Sequence, residues 1–295
     1  MYKKIEMKNI IALISFIVMI SLWGCQPEPI RIDIEPLPTQ IVVVSQIIPD
    51  RIMTIVLTKT IGALDTGNDS VSQDLVNELF EKNAKVTISY RDVTHDLVEL
   101  QDGIYTSIDI LQHPNEVYKL NIITADGKHL TSTTSMLPKI DVNGETDTLT
   151  PNIVRSTVDT IVYFDYKFKD LPEKNWYMIN FYKRGENNNE PNIENFFSGG
   201  SEVATTILFD DILSDDGFIS GTAELTNLIA KDTLVVAVSN ISEDFYNYLQ
   251  TRITSQGVIS ELLKEPIPAP TNVEGGIGFF NTHFPTFRVY DLNEY

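Results

Sequence analysis

Residues 117–138, VYKLNIITADGKHLTSTTSMLP, decide how the chain folds. The stretches 117–124 and 129–137 are rich in β-branched residues, and the tetrapeptide 125–128, ADGK, carries the Asp-Gly pair of a tight hairpin. The same signature recurs upstream. IVVVSQII (41–48) is nearly continuous, as expected of a strand covered on both faces. Pro49-Asp50 then turns the chain into RIMTIVLTKT (51–60). AKVTISY (84–90) sets Val86, Ile88 and Tyr90 on one side, and GIYTSIDI (103–110) follows. Short strands at this spacing predict an immunoglobulin-like β-sandwich over 39–138. VSQDLVNELFE (71–81) reads as a brief helix or a covering loop.

PKIDVNGETDTLTP (138–151) is polar and turn-rich, which places a boundary at 139. Strand signals then restart. In TVDTIVYFDYKFKDLP (157–172), Ile161, Tyr163, Asp165 and Phe168 blur a strict alternation. NWYMINFYKRG (175–185) is expected to pair with it, and 185–192 to form a loop. The stretches 203–213, 218–228 and 233–242 supply more strands. One helix is expected near 242–256, capped by Ser242, started by Glu243 and Asp244 and stopped by Gly257. Its apolar face, Phe245, Leu249, Arg252 and Ile253, is expected to dock on the second sheet. The fold class is therefore all-β: two β-sandwich domains, the first immunoglobulin-like, with one helix in the C-terminal domain over 139–295.

The N-terminus sets location. Lys3, Lys4 and Lys8 precede an uncharged run from Ile10 to Leu22, shorter than the roughly 20 residues a spanning helix needs. This is the pattern of a secretory signal over 1–24. It ends Leu22-Trp23-Gly24-Cys25, which resembles the bacterial lipobox, with Trp23 bulkier than usual at its position. Cys25 is the chain's one cysteine. A thiol there is the nucleophile that accepts a diacylglyceryl group, so Cys25 is the expected lipid anchor, and no structural disulfide is available. Residues 25–38 hold Pro27, Pro29, Pro36 and Pro38 and read as a semi-extended tether; the alternative is that IRIDI (30–34) already forms a strand.

A formal charge of −19 repels phosphate backbones and excludes nucleic acid as an expected partner. Asn272-Val273-Glu274-Gly275-Gly276-Ile277-Gly278 lacks the lysine of a P-loop, so Gly275, Gly276 and Gly278 read as a structural turn or bulge feeding a closing strand at 277–280. Asp65-Thr66-Gly67 has the order of an aspartic-protease loop without a second copy. His95, His113, His129 and His283 show no zinc spacing. Asp210, Asp211, Asp215 and Asp216 offer oxygen ligands of the kind calcium takes, but the EF-hand order is missing, and Asp215-Asp216-Gly217 reads as a turn. No catalytic residue, cofactor or metal is expected. Among the aromatics of 161–182, Trp176 or Tyr182 would line a glycan or peptide groove if they face outward.

Three stretches, 117–138, VVAVSNISEDFYNYLQT (235–251) and EPIPAPTNVEGGIGFF (265–280), come in that order after the lipobox. Together they resemble the bacterial lipoprotein family called domain of unknown function 4249. The resemblance implies an outer-membrane lipoprotein, often encoded beside a TonB-dependent receptor, and supplies no catalytic residues. The expected role is a non-catalytic accessory or ligand-binding partner of such a transporter. A structural or adhesive envelope protein comes second and a hydrolase a remote third.

Overall fold

The computed structural model describes Phe16 and residues 38–48, 52–60, 79–142, 147–155, 160–184, 202–211, 216–229, 231–255 and 270–295. The lipobox residues Leu22, Gly24 and Cys25, most of the 25–38 tether, Asp65-Thr66-Gly67 and Asp215 lie outside them. Among the described residues no helix is long and apolar enough to cross a membrane. Thr39–Tyr295 form one compact unit, built around two buried apolar clusters.

The first cluster lies between two five-stranded sheets. β1 (Ile41–Ile48), β2 (Ile52–Lys59), β5 (Val98–Gln101) and β6 (Ile104–Ser107) form one sheet in the order β1-β2-β6-β5. β3 (Lys85–Tyr90), β4 (Val93–Asp96), β7 (Val117–Ile123) and β8 (His129–Ser135) form the other in the order β8-β7-β3-β4. In immunoglobulin lettering these are A-B-E-D and G-F-C-C′. The decisive hairpin is β7–β8, with Val117 opposite Ser135 and Ile123 opposite His129. Alternation sends Tyr118, Leu120 and Ile122 inward. Tyr118 also makes the corner typical of such sandwiches. From the start of strand F its hydroxyl donates to the Leu111 carbonyl (2.8 Å) and accepts from the His113 amide (2.8 Å).

The second cluster repeats the same order. β9 (Thr148–Arg155), β10 (Thr160–Lys169) and β13 (Phe218–Leu228) make one sheet, β13-β10-β9. β11 (Trp176–Arg184), β12 (Glu202–Asp210), β14 (Thr233–Ile241) and β17 (Thr286–Asp291) make the other, β12-β11-β14-β17. The lettering is E-B-A and C′-C-F-G. Here β11 departs from the sequence expectation. It pairs with β12 and β14 in the sheet opposite β10, because in this Greek key the chain crosses the sandwich between B and C. The alternation of β10 is strict after all, with Val162, Phe164, Tyr166 and Phe168 buried.

The F–G connection of the second sandwich carries the largest departure. Between β14 and β17 it contains α1 (Glu243–Ser255), β15 (Val273–Glu274) and β16 (Ile277–Phe279). Sequence placed all of 139–295 in the C-terminal module, yet β15 adds to β8 and β16 runs parallel to β1. Val273 and Phe280 belong to the first core. The reason lies at the sheet edges: β1 and β8 would each present a row of unpaired backbone groups, and the returning segment pairs with both. Its turn needs glycine. Gly275 and Gly278 have φ of +82° and +107°, and a Cβ on Gly276 would lie 2.5 Å from Leu130 and 2.7 Å from the Ile41 carbonyl.

Helix α1 packs across β11. Its buried side is Phe245 and Tyr248, whose rings meet Phe279 of β16 at 5.4 and 5.0 Å, whereas Ile253 is 49% exposed. The i, i+3 pair turns toward the returning strand, so the apolar face stops short of the helix end. The helix thus touches elements of both sandwiches.

Candidate functional site

Residues of both sandwiches converge on a cleft of about 570 Å³. Asn115, Leu137 and Pro138 come from the far end of the first. The β10–β11 loop contributes Leu171 to Asn175 and the first residue of β11, Trp176. Asn240 is the penultimate residue of β14, Ser242 caps α1 and Glu243 begins it.

The loop wall is built from strong local bonds. The Tyr177 hydroxyl donates to Asp170 Oδ1 (2.5 Å) and accepts from the Leu171 amide (3.1 Å). Burial first, then that carboxylate, pushes the Tyr177 pKa up. Asn175 Nδ2 donates to the carbonyls of Leu171, Pro172 and Glu173 at 3.3, 3.1 and 2.8 Å. Its backbone amide donates to Asp211 Oδ2 (3.0 Å), and its Oδ1 accepts from Asn240 Nδ2 (3.2 Å). Asn175 therefore fixes Glu173, which sits at φ +74°, and ties the loop to β14. On the helix side Ser242 Oγ accepts from the Phe245 amide (3.3 Å), capping α1 as the sequence predicts.

Two features equip the cleft to hold a ligand. Trp176 supplies a flat ring with the Lys174 ammonium 4.9 Å from its centroid. Glu173, Lys174 and Glu243 are exposed at the rim, as is Asn115, which holds φ +65°. Asn240 is only 2% exposed, and its Oδ1 has no hydrogen-bond partner. Buried polar atoms are normally paired, so this sealed, unpaired acceptor is a cost the packing carries beside the cleft. Ser239, Asn281 and Thr282 carry similar unpaired atoms. All four residues flank the excursion that holds α1, β15 and β16.

The sequence-derived candidates are distributed differently. Gly275, Gly276 and Gly278 pin the returning strands and do not line the cleft. Trp176 does line it. Tyr182 faces the same side of β11 and is half-buried, its pKa raised mainly by burial. Among the described residues no three of His, Cys, Asp and Glu group as a metal site; Asp211 instead holds the loop. His95 stacks on Tyr90 at 5.2 Å. His283 stacks on Phe245 at 6.2 Å, bonds Asn281 Nδ2 through Nδ1 (2.9 Å), and is pushed down to a pKa of about 4 by burial. Sequence reasoning missed Asn115, Asn175 and Asn240. For Asn240 a signal existed: a polar residue next to last in the apolar strand TLVVAVSNI.

Architecture and site define a class: an all-β chain of two immunoglobulin-order sandwiches, clamped together by a long F–G excursion, with a cleft at the junction. Within that class the chain belongs to the family described as "Domain of unknown function (DUF4249)", which matches residues 27–284. No curated protein matches the chain.

Proposed function

We propose that this protein is a non-catalytic, lipid-anchored component of the outer membrane that binds a ligand in the junction cleft and works with a TonB-dependent transporter. The observation that carries the ligand-binding role is the cleft: its walls come from both sandwiches, its loop is held by Asn175 and Tyr177, and Asn240 ties that loop to β14. A preformed site of this size falls in the range of small-ligand clefts, about 300–1,000 Å³.

The anchor rests on Leu22, Gly24 and Cys25 and on the family resemblance, which also implies the transporter partner. Topology supports display away from a membrane. Gly276 sits against both Ile41 and Leu130, so β1 and β8 start at the same end of the first sandwich. The chain enters at that end and leaves for the second sandwich at the other.

Native pull-down of the tagged protein from envelopes tests the proposal. A TonB-dependent receptor should co-purify, and should be lost from the membrane-bound pull-down with Cys25→Ala. A second reading, a structural or adhesive spacer, is favoured by the tandem order of the sandwiches. Cell-surface exposure with no receptor in the pull-down would select it.

A further inference from the structure

We infer that the junction cleft takes a neutral, hydroxyl-rich ligand, an oligosaccharide; this rests on the cleft being the binding site proposed above. The first reason is the balance of polar groups. The carboxylates of Glu173 and Glu243 accept, Lys174 and the Trp176 indole N–H donate, and the Asn115 amide and Ser242 hydroxyl do both. A ligand that donates and accepts throughout fits this mixed set. Vicinal hydroxyls donate and accept at once, and they match side-chain amides and carboxylates that lie side by side.

The second reason is the wall. Pro138 and Pro172 have no N–H, and the lining comes from loops, strand ends and the start of α1. An extended peptide draws its main-chain bonds from a free strand edge, which these residues do not offer. An anionic ligand would face Glu173 and Glu243 in a chain of net charge −19. The third reason is Trp176. Its indole gives the flat apolar surface on which the C–H face of a sugar packs, taking the place of the exposed Lys174 ammonium now resting there.

The chain carries its own reporter. Its two tryptophans are Trp23, in the signal segment removed before Cys25, and Trp176, so in the mature chain all tryptophan emission comes from the cleft. The mature chain in mild detergent would be titrated with maltotriose, cellotriose and chitotriose, and with tetra-alanine as the peptide control. At least one trisaccharide should change the emission saturably, and tetra-alanine should not. Asn115→Gly removes a rim amide where φ is +65°, a conformation glycine adopts without strain, and should weaken binding about fivefold, the worth of one neutral hydrogen bond. Asn240→Ala, which releases the Asn175 side chain from β14 and loosens the loop wall, should weaken it as well. Because that buried change risks misfolding, the exposed Asn115→Gly variant decides the matter.

Saturation by tetra-alanine alone, or silence toward all three trisaccharides, would overturn the saccharide assignment. Silence with a receptor still present in the envelope pull-down would remove the ligand class and leave the anchored partner role standing. Failure of both would remove both.

Discussion

Replacing Gly278 with alanine drives a methyl group into the main chain of Val43. The new Cβ would collide with the Val43 carbonyl oxygen and stand 2.8 Å from the Val43 nitrogen, at a φ of +107° that side chains rarely adopt. Backbone strain of this kind costs about 1–3 kcal/mol. Relieving the collision means parting β16 from β1, which gives up the register Val42–Ile277, Val43–Gly278 and Val44–Phe279. At about 1 kcal/mol for each bond lost, the total reaches about 3–5 kcal/mol, a large share of a typical domain's 5–15 kcal/mol. Urea unfolding of the mature chain, followed by far-UV circular dichroism and by Trp176 emission, measures it. Both midpoints should fall together by about 1–2 M, given a slope near the upper end of about 3 kcal/mol/M for a chain of this size. They should move together because Trp176 lies in the second sandwich while Gly278 completes the first. A Trp176 midpoint that stays in place would refute the idea that the excursion couples the two.

Three further perturbations follow from the same structure. Tyr118→Phe removes the corner hydroxyl, leaves the Leu111 carbonyl and His113 amide without their partner, and should destabilise by about 2 kcal/mol in the same urea assay. Asn175→Ala frees three loop carbonyls and the Asn240 amide; the Trp176 emission maximum should move, with little change in far-UV dichroism. His283 titrates near 6.5 when unfolded and near 4 when folded. The unfolded chain therefore binds more protons between those values, and stability present above pH 6.5 is lost as the pH falls toward 4. The loss is at most about 3 kcal/mol. His283→Gln should flatten that part of the stability-versus-pH curve.

Much of this fold was legible in the sequence. β7 and β8 declare themselves through period-two alternation around Asp126-Gly127, and the Ser242 cap with Glu243 and Asp244 marks the helix. These are local signals, set by neighbours in the chain. What stayed hidden is non-local. Nothing in Val273 to Phe280 says which sheet edge it will cover, because partner choice depends on where β1 and β8 end up. The crossing of β10 and β11 into opposite sheets follows from the Greek key rather than from their adjacency. The cleft was half-visible: Trp176 drew notice as an aromatic, whereas Asn115 and Asn240 gain meaning only once the two sandwiches meet.

Mass spectrometry of the mature N-terminus, purified from membranes, addresses the anchored role most directly. Cleavage before Cys25, with acyl chains on that residue, is the predicted species. A mature chain starting elsewhere, or carrying an unmodified Cys25 thiol, would contradict it.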